Sequence, residues 1–495
     1  MRPAASWIQA IVLVVAGLLL APACKVGPDY TPPQTEMPDA WHQAATDGLV
    51  DGEASVQTWW EVLDDPVLTD LIHQAEEANL DLHAAFYSIQ AARALRGIAN
   101  GQRIPSLTGF GDVDRADFSE NARAPGLGEA TNQIGLGAEA FWEVDVFGRI
   151  ARQVESRTAA LEASLEDYRD ILVSVLAEVA LAYIDLRTVQ LRIDYTEKNI
   201  ETQIQTLELT QDRFDAGLVS ALDVAQAETN LASTQSELPV LHRTLAIDYN
   251  RLSVLLGQTP GALQSELGGA EGKIPVPTDE VAVGLPADLM RQRPDIRRAE
   301  RQLASATALI GVATADLYPR FSLSGLLSLE ASSISDLASG DSVTWALGGG
   351  FRWNLFRGGR VRNGIRLQEA RTAQSLVAYE QTVLFAVEEV EDALVSYKTE
   401  QQRRDRLIES VDANERSLDL VMTQYRAGLA DFQNVLDTQR SLVTRQNQLA
   451  ASEGLVVQSL VALYRALGGG WDPDANYSEP PVTAETEEPD SQESS

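Results

Sequence analysis

The sequence repeats itself at a nearly fixed spacing, and that repeat sets what the chain can fold into. Gly217 sits in Phe214-Asp215-Ala216-Gly217-Leu218, and Gly428 sits 211 residues later in Tyr425-Arg426-Ala427-Gly428-Leu429. The same 211 relates Tyr168 to Tyr379, Glu178 to Glu389, Leu231 to Leu442 and Gly257 to Gly468. Earlier in the repeat the spacing is 214, relating Asp81 to Asp295, Gly97 to Gly311 and Pro105 to Pro319. A spacing that changes by a few residues means one unit written twice with loops of different length. Two copies are too few for a solenoid and fit a pseudo-symmetric protomer. Residues 59–265 are assigned to the first repeat and 266–471 to the second.

Each copy reads as helix, two strands, long helix, short turn, helix. In Gln133 to Asp145, Ile134, Leu136, Ala138, Ala140, Trp142 and Val144 alternate with Gly135, Gly137, Glu139, Phe141 and Glu143. In Val343 to Leu355, Val343, Trp345, Leu347, Phe351, Trp353 and Leu355 alternate with Thr344, Gly348, Gly350, Arg352 and Asn354. Phe321, Leu323, Leu327 and Leu329 alternate with serines, and a weaker strand starts at Ser106. Period-2 alternation over about ten residues, with tryptophans on the apolar side, suits a membrane barrel strand; a half-buried soluble sheet shows the same alternation. The helices argue against the soluble alternative. From about Arg149 to Asp215 there is neither proline nor glycine, and Leu161, Leu165, Tyr168, Leu172, Val175, Val179 and Ala182 recur three or four apart. A helix over that stretch would run roughly 100 Å at ~1.5 Å per residue, a length without use in a globular domain.

Four strands cannot close a barrel, because the smallest membrane barrels use about eight. An open edge in lipid would leave backbone groups unpaired. The protomer is therefore expected to complete its barrel with copies of itself, and both two and three copies satisfy that requirement. The expected fold is mixed α and β: a transmembrane β-barrel with four strands per protomer, and long coiled-coil helices.

The chain ends are different in kind. Arg2, the apolar run from Ile8 to Leu20, and Ala21-Pro22-Ala23 read as a secretory signal over residues 1–23. Cys24, the only cysteine, follows at once and is similar to the acylated residue of a bacterial lipoprotein signal; the alternative is an ordinary secretory signal cut nearby. Residues 24–58 read as an extended, lipidated lead, and 472–495 as a disordered acidic tail. The net charge of −33 offers no basic footprint for nucleic acid. The four histidines, His42, His73, His83 and His242, fall in no ligand or catalytic motif, so neither enzyme activity nor a cofactor is expected. Asp112, Asp114 and Asp117 have a faint calcium-loop spacing but lack its glycine and distant glutamate, and read as a solvated loop.

Several motifs occur together. They are Cys24-Lys-Val-Gly-Pro-Asp-Tyr30, Trp59-Trp60 with Asp65-Pro66, Leu285-Pro-Ala-Asp-Leu-Met-Arg-Gln-Arg-Pro-Asp295, and the two Ala-Gly-Leu turns. With them the chain resembles the outer-membrane efflux protein family, TolC-like channels, in the lipoprotein branch of tripartite efflux systems. The resemblance covers Cys24 to Trp471. It implies a homotrimer, a twelve-stranded barrel in outer-membrane lipid, a periplasmic helical tunnel, and two partners: a periplasmic adaptor and an inner-membrane pump. It implies a passive exit duct for drugs or other small molecules. An exit duct for a secreted protein is the alternative in the same family, and a pore-less periplasmic coiled-coil adaptor is the alternative outside it.

The turns are the candidate functional residues. Gly217 and Gly428 look like residues just past helix ends, where positive φ is cheap. Ser220 with Asp223, and Asp431 with Asn434, look like N-caps with their N3 partners. By resemblance Gly217, Leu218, Ser220, Asp223, Gly428 and Leu429 form adaptor-facing tips, and Asp437, Asn434 and Tyr425 belong to the periplasmic gate. Asp437 lies beyond the first helical turn, on the face of Asn434, and matches the acidic ring of the family's closed aperture. Ala430 stands where some relatives have the arginine that latches such a tyrosine. Trp142, Trp345 and Trp353 are expected to form the membrane belt.

Acylation is testable directly. Cys24→Ser is expected to abolish labelling by a radioactive fatty acid while leaving the protein in the membrane fraction. Unchanged labelling would remove the lipoprotein assignment.

Overall fold

The computed structural model describes residues 25–34, 38–42, 49–50, 56–117, 119, 131–268, 273–277, 281–282, 289–473 and 475. The signal segment, Cys24, residues 285–288 of the Leu285–Asp295 motif and the tail from 476 lie outside the described residues. Helix α1 spans Pro66–Ala78 and α2 Leu80–Gly101. Strands β1 (Ser106–Ala116) and β2 (Thr131–Val144) precede α3 (Arg149–Asp215), and α4 (Ala221–Gln235) and α5 (Leu238–Leu255) follow it. The second pass gives α6 (Pro294–Ala315), β3 (Arg320–Ala331), β4 (Val343–Arg352), α7 (Arg360–Arg426) and α8 (Phe432–Ala466). Both α3 and α7 have 67 residues, and both α2 and α6 have 22, so the duplication is visible element by element.

The copies differ in one element. The returning helix of the first repeat breaks at Ser236–Glu237, where the sequence reading expected one helix; that of the second runs 35 residues unbroken. Pro239 stands in the first turn of α5. Proline has no N–H and its ring collides with the carbonyl four residues back, so the helix must restart there. The second repeat has Ala450 at the equivalent position.

The chain divides into two compact units. One comprises the described parts of Met1–Gln34, with Ile89–Ser164 and Arg298–Glu380; the other comprises those of Thr35–Ser88, Leu165–Arg297 and Gln381–Ser495. The first unit holds the sheet, antiparallel throughout, in the order β1-β2-β3-β4. Register sorts its residues by face, because directly paired residues point the same way. One face carries Leu107 and Val113; Ile134, Leu136, Ala138, Ala140 and Trp142; Phe321, Leu323, Leu327 and Leu329; and Val343, Trp345, Leu347 and Phe351. Its only charge among the paired residues is Arg115, opposite Asn132 at the end of β1 far from Ser106. The other face carries Asp112, Asp114, Glu139, Glu143, Ser322, Ser324, Glu330 and Arg352, with Phe110, Phe141 and Leu326 as exceptions. Asp112 and Asp114 thus belong to a strand, not to the loop expected for them; extended β1 begins at Ser106 and carries them on its polar side.

The apolar face is bare. Leu107 is 76% exposed, Val113 79% and Trp345 72%. Among the described residues no strand pairs with the outer edge of β1 or of β4.

The N-terminal motif docks within this unit. Arg152, 1% exposed, donates to the carbonyls of Val26 (3.1 Å) and Gly27 (3.3 Å) and to Asp29 (2.7 Å). Gly27 has φ +86°, and a Cβ there would fall 2.5 Å from the Gly311 Cα, so both glycines are required by close approach. Tyr30 donates to Glu300 at 3.0 Å.

In the second unit the remaining motifs are structural too. Asp65 caps α1, accepting from the Val67 (2.9 Å) and Leu68 (3.2 Å) N–H groups, with Pro66 at the helix start. Its other oxygen accepts from the Tyr183 hydroxyl at 2.7 Å, which helps to push that phenol's pKa well up after desolvation. Buried Arg293 binds Asp295, Glu389 and the Ala466 carbonyl at 2.7–3.0 Å. Helices α3 and α8 meet through buried polar pairs, Asn199 to Gln446 at 2.7 Å and Gln439 to Thr206 at 2.9 Å. No described helix is long and apolar enough to cross a membrane.

Candidate functional site: the paired helix turns

Both long helices end in the same way. At the first, the Leu218 N–H reaches back to the Arg213 carbonyl at 2.8 Å, with Gly217 at φ +71°. At the second, the Leu429 N–H reaches the Gln424 carbonyl at 2.8 Å, with Gly428 at φ +73°. This is the six-to-one closure that a left-handed residue after the helix end permits, and it explains both glycines. It leaves Leu218 and Leu429 projecting, 68% and 80% exposed.

The restarts differ. Ser220 and Asp223 form a complete capping box: the Asp223 N–H donates to the Ser220 hydroxyl, and the Ser220 N–H donates to the Asp223 carboxylate at 3.0 Å. Asp431 occupies the N-cap of α8, but its side chain makes no cap hydrogen bond. The cap expected of Asp431 with Asn434 is therefore absent. Asn434 is exposed, and its carbonyl serves the Thr438 hydroxyl at 2.7 Å.

Tyr425 is 1% exposed. Its ring packs with Ala227, Met422, Phe432, Val435 and Leu436, and its hydroxyl donates to Thr210 at 3.4 Å. The residue that sequence reasoning missed is Arg213, from the turn of the other repeat. Its guanidinium lies 4.6 Å from the Tyr425 ring centre and donates to the Tyr425 carbonyl and, at 3.3 Å, to the Arg426 carbonyl. A cation on the last carbonyls of a helix satisfies orphan acceptors and opposes the negative end of the dipole. So an arginine does engage the tyrosine, in the absence of one at position 430. The repeat aligns Arg213 with Gln424, so periodicity alone gave no signal for it. Asp437 is exposed and accepts from Gln433 at 2.9 Å.

The tryptophans fall at both ends of the sheet. Trp142 donates its indole N–H to the Arg103 carbonyl at 3.0 Å, and Trp353 to the Leu317 carbonyl at 2.9 Å, the same contact made once per repeat. Trp353 lies just past β4, not within it as expected, because pairing ends at Arg352. Trp345 sits at the opposite end of β4, eight positions earlier, or roughly 26 Å at ~3.3 Å per residue.

The sheet with one bare apolar face, bounded by tryptophans, joins helices of 67 residues. The family model described as Outer membrane efflux protein matches residues 71–258 and again 285–469. The chain belongs to the outer membrane efflux protein family. It is 31% identical over 459 residues to nodulation protein T of Rhizobium leguminosarum bv. trifolii, covering 92% of this chain and 97% of that one. It is also 31% identical over 472 residues to the solvent efflux pump outer membrane protein SrpC of Pseudomonas putida, covering 94% and 99%. Among solved structures, the outer-membrane channel OprN aligns with a TM-score of 0.83 at 37% identity, covering 90% of this chain and all of that one. The CmeC outer membrane channel of Campylobacter jejuni aligns with a TM-score of 0.84 at 22% identity, which shows the shared fold, over 92% of this chain and 97% of that one.

The unequal caps are testable. Ser220→Ala is expected to lower stability by about 1 kcal/mol. Asp431→Ala, losing no cap bond, is expected to change it by less than about 0.5 kcal/mol. Both are read from thermal unfolding followed by circular dichroism. Equal losses would contradict the assignment of a single capping box.

Proposed function

We propose that this family member is the outer-membrane exit duct of a tripartite efflux pump, passively conducting small molecules from the periplasm to the exterior. The observation that carries this reading is the sheet: an apolar face exposed along all four strands and charged only at Arg115 near its end, a polar opposite face, and two edges unpaired among the described residues. Such a sheet is stable when its apolar face meets lipid, its polar face meets a water-filled lumen and its edges meet further copies. Three copies give the twelve-stranded barrel implied by the family. Acylated Cys24 would anchor each copy to outer-membrane lipid. Small molecules are favoured as cargo because SrpC is named for solvent efflux.

The helix turns are the proposed periplasmic end. Leu218, Leu222 and Leu429 are exposed beside the capped turns and offer apolar anchors to an adaptor protein, which would link the duct to its inner-membrane pump. Tyr425 acts as a positioning residue: with Arg213 it ties the two turns of one protomer together. Asp437 and Asn434 are the gate-lining candidates, since both are exposed and share a face of α8. In a trimer, three Asp437 carboxylates would converge at the constriction and favour cations there.

In planar bilayers, Asp437→Ala is expected to weaken block by multivalent cations and to raise the resting conductance. Asp223→Ala is expected to act on stability instead, by about 1 kcal/mol, through loss of the capping box. The gate has been assigned to the wrong turn if conductance and block respond to the Asp223 variant and not to the Asp437 variant.

A further inference from the structure

We propose that the junction between β4 and α7 is a headgroup site for an anionic phospholipid of the leaflet on the helical side of the barrel. This rests on the reading of the sheet as a membrane barrel. Residues 357–371 contain five arginines, Arg357, Arg360, Arg362, Arg366 and Arg371, and one acid, Glu369, in a chain of net charge −33. All five arginines are exposed, and none has an acidic partner among the described residues. At the equivalent positions the first repeat has Val146, Arg149, Ala151, Glu155 and Ala160. Its one arginine, Arg149, pairs with Glu143 at 2.9 Å.

The two junctions also differ in what covers them. In the first repeat the chain's own N-terminal segment closes the junction. The Val26 N–H donates to the Phe147 carbonyl at 3.3 Å, Lys25 packs over Gly148, and Phe147 stacks on Tyr318 at 4.6 Å. The described part of that segment begins one residue after Cys24, the proposed acylation site. In the second repeat the aromatic at this junction, Phe356, is 91% exposed, and the neighbouring Leu355 is 78% exposed. Beside them opens a cavity of about 380 Å³ lined by Leu317, Trp353, Phe356, Arg357, Arg362 and Asp316. Asp316 is paired with Arg320, so its charge is already met.

The location selects the ligand. The apolar face of the sheet ends at Phe351, and Trp353 follows at its rim, where headgroups meet water. Guanidinium groups bind phosphate oxygens through paired N–H donors, and cations at this depth draw anionic lipid. Leu355 and Phe356 supply the surface on which acyl chains lie. A free phospholipid would thus occupy in the second repeat the place that the N-terminal segment takes in the first.

The test uses the full-length lipidated protein. It is first floated with vesicles of phosphatidylcholine containing phosphatidylglycerol, then extracted in zwitterionic detergent and offered either lipid with identical acyl chains. Native mass spectrometry reads the retained lipid. Wild type is expected to float and to retain phosphatidylglycerol in preference to phosphatidylcholine. The double variant Arg357→Gln, Arg362→Gln is expected to lose about tenfold or more of that retention while staying assembled. Arg403→Gln with Arg406→Gln, which removes arginines already paired with acids, is expected to keep it. Three results would overturn the proposal: no headgroup preference in wild type, undiminished retention in the double variant, or dissociation of that variant's subunits, which would place these arginines at a protein interface. A wild type that fails to float would instead overturn the barrel reading beneath it.

Discussion

Unpaired backbone on the two sheet edges is the constraint from which the rest of the account follows. Among the described residues, the outer N–H and C=O groups of β1 and β4 have no strand beside them. The face between those edges is apolar and bare. In hydrocarbon each unsatisfied backbone group costs several kcal/mol, so this sheet cannot sit in lipid alone. Another copy of the same sheet answers both edges at once, since β1 of one copy and β4 of the next are both free. Closure also gives the polar face its purpose, because Asp112, Asp114, Glu139 and Glu330 would then line water, not lipid.

The duplication supplies two of everything, and the molecule's particular features lie where the copies have diverged. Both turns keep the glycine closure, which backbone geometry demands. The first turn alone keeps a capping box, and it alone provides the arginine that holds Tyr425. The first returning helix is broken at Pro239, and the second runs through. The first strand–helix junction is sealed by residues 25–29 against Arg152 and Gly311, and the second is left open among arginines. Pseudo-symmetry fixes the frame, and these single-copy differences assign the parts.

Much of this was legible in the sequence because it depends on short-range patterns. The proline- and glycine-free stretch from Arg149 to Asp215 is the helix, residue for residue. The strand alternation located all four strands to within about three residues, Trp353 falling just outside because pairing, not hydropathy, ends a strand. Ser220 and Asp223 were readable as a box from their spacing. The cap at Asp431 was not, because the residue type permits a hydrogen bond without ensuring that the rotamer makes it. Arg213 was invisible for a different reason: its partner lies 212 residues away, in a turn brought beside it by tertiary packing. The family motifs read as signatures in the sequence; the structure gives them causes, in the Asp65 cap and in buried Arg293.

The central claim is that the barrel exists only between copies. The most direct test is the mass of the protein extracted in mild detergent, measured together with its β-strand content by circular dichroism. The account predicts a single species of three chains with the strand signal intact, and loss of that signal whenever monomers are produced. A stable monomer that keeps the full strand signal would contradict it.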